Sequence, residues 1–578
     1  MQKPDLRLTA VIMVAIGVLH TVCSAEIRVN QYRISPWMKK YAVIDGAAAD
    51  SFSVVSADGD SIVYRGRLEL VHFWDASGES VRLADFSLLT APGRYHIACK
   101  GVAPSGTVTV SDTSGTDLVK ASLKAYYFNR CSSRLPKRFA GVYARSAGHP
   151  DTAVLIHPSA ADSLRPAGST IPSPGGWYDA GDFNKYSVNS AVAMSLLLSA
   201  YEVYQAYFDT LRDDIPESQN VLPDILDEVL YNLRWQLTMQ DPHDGGVYHK
   251  LTTAEFCGMV MPQQDKAPRY VVYKSTAAAL DFAAVCAQAS RVFRRFRSAL
   301  PGFADSCLSA SVKAWQWAQA NPARYYFNRL TDNPKVKTGE YTDTVVADER
   351  TWSATELLLV TADTVYRKAA FPRTSLPSSG RIPTWRDVGI LPLFSVMADS
   401  GSVAKNARSE AAAIIRKVAD SLLTLQLNNP YHVAVSDGDF FWGSNSHLAT
   451  MGIIFLLAER LTGDSRYRDA AASQLDWLLG RNPTGYSFVT GFGEKSPLHI
   501  HHRVSTADTI DAPVPGFLAG GPNAGKQDKK HCNCYTTDLP ALCYADTVCS
   551  YASNEIAINW NAPLVFLAAG VAVLFGEK

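Results

Sequence analysis

The hydrophobic period of this chain changes once, near residues 113–117, and that change limits what it can fold into. Before it, short segments alternate apolar and polar residues, as one buried face of a sheet requires. Ile27-Arg28-Val29, Phe52-Ser53-Val54, Ser61-Ile62-Val63-Tyr64, Val81-Arg82-Leu83, Arg94-Tyr95-His96-Ile97 and Thr107-Val108-Thr109-Val110 read this way. Asp58-Gly59, Ser77-Gly78 and Pro92-Gly93 mark turns between them. About seven short strands so closely spaced predict a β-sandwich, placed over residues 26–112.

After the change the period is helical. Leu222, Ile225, Leu226, Val229, Leu230, Leu233 and Leu237 share one face of a helix, as do Ala411, Ile414, Ile415, Val418, Leu422 and Leu425. Further helical runs cover 186–208, 271–297, 305–320, 350–366, 446–461 and 465–479. A last run, from Pro563 to Phe575, is apolar all round and is expected to be buried. Roughly a dozen helices with little strand signal predict a large all-α domain, placed over residues 117–578. The chain is thus multidomain, and the long loops of its second part are where chemistry is expected.

Charge and leader narrow the setting. Lys and Arg total 55 against 55 Asp and Glu, with a pI of about 7.2, which argues against a nucleic-acid partner. Residues 1–25 read as a signal peptide: Lys3 and Arg7, an apolar run from Ala10 to Leu19, and Cys23-Ser24-Ala25 before Glu26. No later stretch has about 20 apolar residues free of charge, so no membrane span is expected. A secreted monomer, extracellular or periplasmic, is the expectation. Of the ten cysteines, Cys532, Cys534, Cys543 and Cys549 crowd together. Their C-x-C-x8-C-x5-C spacing fits no common zinc pattern, and local disulfides are expected, with the pairing open.

Three constellations could carry chemistry. Gly175-Gly176-Trp177-Tyr178-Asp179-Ala180-Gly181-Asp182-Phe183-Asn184-Lys185-Tyr186 holds two carboxylates three residues apart, among glycines and among aromatics suited to sugar rings. Paired acids are what glycosidic-bond hydrolysis needs; the bland alternative is a cap on a helix starting near Asn184. Asn482-Pro483-Thr484-Gly485-Tyr486-Ser487-Phe488-Val489-Thr490-Gly491-Phe492-Gly493 precedes His499-Ile500-His501-His502-Arg503. That histidine spacing is unlike a zinc set, and hydrogen bonding to sugar hydroxyls suits it better, with Arg503 also able to hold a carboxylate ionised. Finally, Tyr544-Ala545-Asp546 and Tyr551-Ala552-Ser553-Asn554-Glu555 lead into the last apolar run. A desolvated Glu555 would keep its proton and serve as a general acid.

These three stretches resemble the signatures of glycoside hydrolase family 9, mostly endo-β-1,4-glucanases (cellulases) with an (α/α)6 barrel and an inverting mechanism. Ile27-Arg28-Val29-Asn30-Gln31 and Pro92-Gly93-Arg94-Tyr95 resemble the immunoglobulin-like module that precedes many of its catalytic domains. Val221–Glu228 and Met239–Pro242 also look like family segments. The resemblance implies Asp182 as base, Asp179 as the acid that helps hold the nucleophilic water, and Glu555 as general acid. It implies His501 and Arg503 as substrate contacts, Asp546 and Tyr551 shaping the surroundings of Glu555, and His249 and Trp442 as further subsite candidates. The implied substrate is cellulose or a related β-glucan. An exo-acting glucosidase or glucosaminidase of the same family, or an inactive carbohydrate-binding protein, are the alternatives. No cofactor is required for the chemistry. A structural calcium is compatible with the family, whereas the zinc site of many bacterial relatives is in doubt. Here Arg130-Cys131 is followed by Gly148-His149-Pro150-Asp151, with no second cysteine nearby.

Overall fold

The computed structural model describes residues 25–113, 115–371, 382–398 and 405–576. Residues 1–24, the body of the expected signal peptide, lie outside this set. The first module contains β1 (Ile27–Arg28), β2 (Tyr41–Asp45), β3 (Ser51–Ser56), β4 (Ile62–Arg67), β5 (His72–Trp74), β6 (Glu79–Asp85), β7 (Gly93–Cys99) and β8 (Val108–Val110). They form two antiparallel sheets, ordered β1-β2-β6-β5 and β4-β3-β7-β8. Val43, Phe52, Val54, Val81, Leu83, Ile97 and Val108 are buried between them. Strands β2 and β5 were absent from the sequence expectation. Tyr41-Ala42-Val43-Ile44-Asp45 buries three consecutive residues, so it shows no alternation.

From Thr116 the chain is mainly helical, and the helices form an (α/α)6 barrel. Helices Ser187–Val203, Thr276–Phe293, Ser444–Thr462 and Ile558–Phe575 are buried over most of their length. Ile558–Phe575 packs against Ser187–Val203, Ser444–Thr462 and Thr116–Phe128. It is long and apolar enough to cross a membrane, but 89% of it is buried inside the protein. Burial from several sides is what an all-apolar helix requires.

The barrel domain also carries a five-stranded sheet that the helical reading missed. Strands β9 (Val154–Ile156), β10 (Thr170–Ile171), β11 (Lys185–Tyr186), β12 (Tyr248–Thr253) and β13 (Arg269–Lys274) lie in the order β10-β9-β13-β12-β11. All six residues of β12 are buried, which erases the two-residue alternation. The helix expected from residue 271 starts instead at Thr276, where the Ser275 hydroxyl accepts from the Ala278 N–H. Antiparallel pairing of Tyr186 with Lys250 sets the paired-acid stretch beside β12.

The sandwich is fastened to the barrel by buried polar pairs and one aromatic. Arg28 donates to Glu79 (3.1 Å) and to the Pro483 carbonyl (2.7 Å), and Asn30 donates to Asp476 (2.7 Å). Tyr431 donates to Glu79 at 2.7 Å. Trp74 packs against Tyr431, Phe440 and Trp477, with ring centroids 5.3, 6.0 and 6.1 Å away. Trp74→Ala is expected to lose about 3–5 kcal/mol through the cavity it leaves. Thermal melts should show a lower Tm, with the sandwich transition moving ahead of the barrel's.

Candidate active site

The paired-acid stretch begins with two glycines at φ 79° and 78°. A side chain on Gly176 would run into the Trp235 ring. Trp177 and Tyr178, read from sequence as sugar platforms, are each 1% exposed and belong to the core. Trp177 packs on Tyr126 and donates to Glu228. Their role is to anchor the turn that follows, in which the cap alternative also fails. The helix starts at Ser187, with Tyr186 as its cap residue and no side-chain cap bond.

Asp179 and Asp182 are both buried. Asp179 Oδ1 accepts from Asn189 and Oδ2 from the Tyr341 hydroxyl, both at 2.7 Å. Asp182 Oδ2 accepts from Asn184 (2.6 Å) and from the Tyr186 hydroxyl (3.0 Å). Glu555 follows the short helix Tyr551–Asn554, and its Oε1 accepts from the Gly181 N–H at 3.3 Å. The Gly181 carbonyl accepts from the Arg503 N–H (3.1 Å) and from its guanidinium (2.7 Å). A Cβ on Gly181 would stand 2.8 Å from His501 Cδ2, 3.0 Å from Glu555 Oε1 and closer still to the His501 carbonyl. Glycine is therefore required for the Asp179–Asp182 turn and the His501–Glu555 segment to meet.

Electrostatics divide the roles. Burial, reinforced by the Asp182 and Asp179 charges, lifts the Glu555 carboxyl well above its usual range, against the pull of Arg503 and the Gly181 N–H. Such a group keeps its proton near neutral pH and can donate it. Burial and the Asp182 charge push Asp179 up to about 8, against the bonds from Asn189 and Tyr341.

The remaining expected residues separate into three groups. His501 joins the Glu555 segment through a parallel bridge, and its Nδ1 meets the Val548 carbonyl at 2.6 Å. Tyr551 sets its ring edge-on to His501 (5.7 Å) and against Trp442 (5.5 Å), which is 38% exposed. These three rings form an aromatic line leading away from Glu555. Arg503 and Asp546 shape the backbone: Asp546 accepts from the Leu498 and His499 N–H groups and from Asn554. His249 is the exception. It is 1% exposed, both its ring nitrogens bond to Ser275 and to the Glu340 carbonyl, and its ring stacks on Tyr326. A histidine so engaged has no ring nitrogen free to bond a sugar. Sequence reading gave no role to Asn184 or Tyr186, although both lie inside the quoted stretch. It missed Tyr341, a loop tyrosine with no local signature.

Thiols gather near potential metal ligands at two places. At the first, Asp151 is gripped by Arg269 and Lys185, each at 2.8 Å, and Cys131 is the one thiol bonded to it. Two cations on the carboxylate make this a poor zinc ligand set. At the second, the sulfurs of Cys532, Cys534 and Cys549 lie within 4.8 Å of one another. A Cys532–Cys549 disulfide takes two of them, in line with the expected local pairing, while Cys534 and Cys543 are free thiols.

Carboxylates on both sides of a glycine turn, set in a helical barrel, define a glycoside hydrolase. The glycosyl hydrolase family 9 description matches residues 116–568, and the cellulase N-terminal Ig-like domain description matches residues 23–103. The chain belongs to glycosyl hydrolase family 9. It is 42% identical over 557 residues to the xyloglucan-specific endo-β-1,4-glucanase of Bacteroides ovatus, covering 95% of this chain and 94% of that one. It is 32% identical over 558 residues to endoglucanase D of Acetivibrio thermocellus, covering 94% and 83%. A solved Bacteroides ovatus family 9 structure superposes with a TM-score of 0.88 at 40% identity, covering 95% and 99%.

Gly181→Ala is expected to leave the circular dichroism spectrum unchanged and to lower kcat by roughly a hundredfold or more, since small misplacements of reacting groups cost that much. A second expectation concerns pH. A carboxyl raised from about 3.9 in the unfolded chain to about 8 in the fold holds its proton only when folded. The resulting stability is full at acid pH and is lost as pH rises through that window. Asp179→Asn should flatten the fall of the urea midpoint between those limits.

Proposed function

We propose that this protein is a secreted endo-β-1,4-glucanase that cleaves its glucan with inversion of the anomeric carbon. The observation that carries this reading is the pair of acids meeting at Gly181: Glu555 kept protonated by burial, and Asp182 held by two neutral donors. Asp182 takes a proton from water. Asp179, whose oxygens each accept one bond and retain a lone pair, helps hold that water. The water attacks the anomeric carbon from the face opposite the leaving group, and Glu555 protonates the departing glycosidic oxygen. Inversion needs the two reacting carboxyls about 6.5–9.5 Å apart, to leave room for water. The relative named for xyloglucan supports branched β-1,4-glucan as the first substrate to try.

Glu555→Gln is expected to lower hydrolysis by roughly a thousandfold or more. Proton NMR of the first products should show the α-anomer, and the viscosity of soluble xyloglucan or carboxymethylcellulose should fall before much reducing sugar appears. Product confined to one small sugar, at constant viscosity, would favour the exo-acting alternative.

We infer that a structural calcium ion binds among four carboxylates of the barrel. Both carboxylate oxygens of Asp281, Asp343 Oδ2 and both oxygens of Glu349 are buried without a hydrogen-bond donor. Burial raises all three carboxyls, and repulsion from neighbouring carboxylates adds to it: Asp343 and Asp348 act on Asp281, Asp281 and Asp348 on Glu349, and Asp348 on Asp343. Carboxylate oxygens left unpaired in this way suit a hard divalent cation. Asp281, Asp343, Asp348 and Glu349 would hold it, and the ion would brace the helices Thr276–Phe293 and Ala347–Thr361 without entering the chemistry. EGTA treatment should lower Tm by several degrees, about the shift that losing one tight ligand produces, and Asp281→Asn should abolish that response.

A further inference from the structure

Lys250 takes no step in the mechanism above, yet it is fully buried behind the base. Its ammonium donates to Asn328 Oδ1 (3.1 Å), Thr338 Oγ1 (3.1 Å) and the Gly339 carbonyl (2.6 Å). Three N–H groups meeting three acceptors satisfy a lysine head fully. All three acceptors belong to one loop, residues 328–339, while Lys250 itself sits on β12. The same loop continues to Tyr341, whose hydroxyl holds Asp179. From the other side, the Gly339 N–H donates to the Tyr186 hydroxyl at 3.2 Å, and that hydroxyl donates to Asp182. Lys250 Nζ also lies over the Tyr186 and Tyr326 rings, 5.6 and 5.0 Å from their centroids.

We propose that Lys250 is a positioning residue for both aspartates: it pins the loop that delivers Tyr341 to Asp179, and it sets a positive charge behind the Tyr186–Asp182 contact. This rests on reading Asp182 as the base.

The charges around Asp182 make that positive charge consequential. Asp179 and Glu555 face it as carboxyls, Tyr186 and Tyr341 as phenols, and His501 as an imidazole whose pKa burial lowers. Arg503 acts on the Glu555 side. Burial draws Lys250 down to about 7, while Asp182 and Glu340 act to keep it charged. Removing that cation takes a positive charge from behind the base, so the acidic limb of the rate profile must move to higher pH.

The test compares kcat, KM and the pH dependence of kcat/KM on soluble xyloglucan for the intact protein and four variants. Lys250→Met removes charge and pin, Lys250→Gln removes charge but keeps a donor, Tyr341→Phe removes the delivered hydroxyl, and the fourth variant combines Lys250→Met with Tyr341→Phe. Both single Lys250 variants should move the acidic limb up by about half a unit or more. Lys250→Met should lower kcat by roughly tenfold or more at nearly constant KM. The double variant should be no worse than the poorer single one, because both act through the same hydroxyl.

An unmoved acidic limb in Lys250→Gln, or losses that multiply in the double variant, would overturn the proposal. If Lys250→Met does not fold, the limb of Lys250→Gln decides alone. Asp182→Asn is the control on the underlying reading. Hydrolysis surviving in it would remove the base assignment itself, whereas its loss alongside an unmoved limb in the lysine variants would remove only the role of Lys250.

Discussion

The catalytic centre depends on the backbone of one residue. The Gly181 N–H faces Glu555 and its carbonyl is held by Arg503. The backbone of a single residue thus joins the turn that carries Asp179 and Asp182 to the strand-like segment that carries Glu555. The joint works because there is no side chain in the way. Everything around it serves to hold the two approaching segments still: buried Trp177 and Tyr178 under the turn, Asp546 bracing residues 498–499, and the His501–Glu555 bridge. Rigid support of this kind is what a site needs when its reacting groups must stay in register without substrate present.

Burial then differentiates chemically similar groups. Glu555 and Asp179 are raised, while Asp182 receives two donors and lies near a lysine ammonium. Acid and base arise from unequal surroundings more than from residue type, which is the general route to both chemistries at one pH. The cost of holding several acids out of water is met locally by hydroxyls, amides and two buried cations, Lys250 and Arg503, with the aromatic line of His501, Tyr551 and Trp442 left open toward solvent.

Much of this was legible in the sequence. The break in hydrophobic period near residue 115 separated sandwich from barrel, because amphipathic helices and half-buried strands impose different spacings on their apolar residues. The three acids stood out because each lies in a short stretch with its immediate neighbours. Elements buried on every side were harder to read: β12 loses its alternation, and the sheet around it vanished into a helical reading. Trp177 and Tyr178 show the opposite failure, since an aromatic beside an acid looks the same in sequence whether it lines a cleft or fills a core. Tyr341 and Lys250 were invisible for a third reason. Each is tied to the site through the loop 328–341, across contacts of 78 to 162 residues in sequence.

The separation between Gly181 and Glu555, 374 residues, has a consequence for how the enzyme comes into being. Glu555 precedes by three residues the apolar helix that packs against Thr116–Phe128 and Ser187–Val203, elements from the start of the barrel. Proton donor and base therefore become neighbours only when the ring of helices closes. In the mechanism proposed above, a nascent or clipped chain lacking that closing helix has nothing to hold Glu555 against the Asp182 turn, and so has no means of cutting glucan. Hydrolytic competence arrives with the completed circle, in one step.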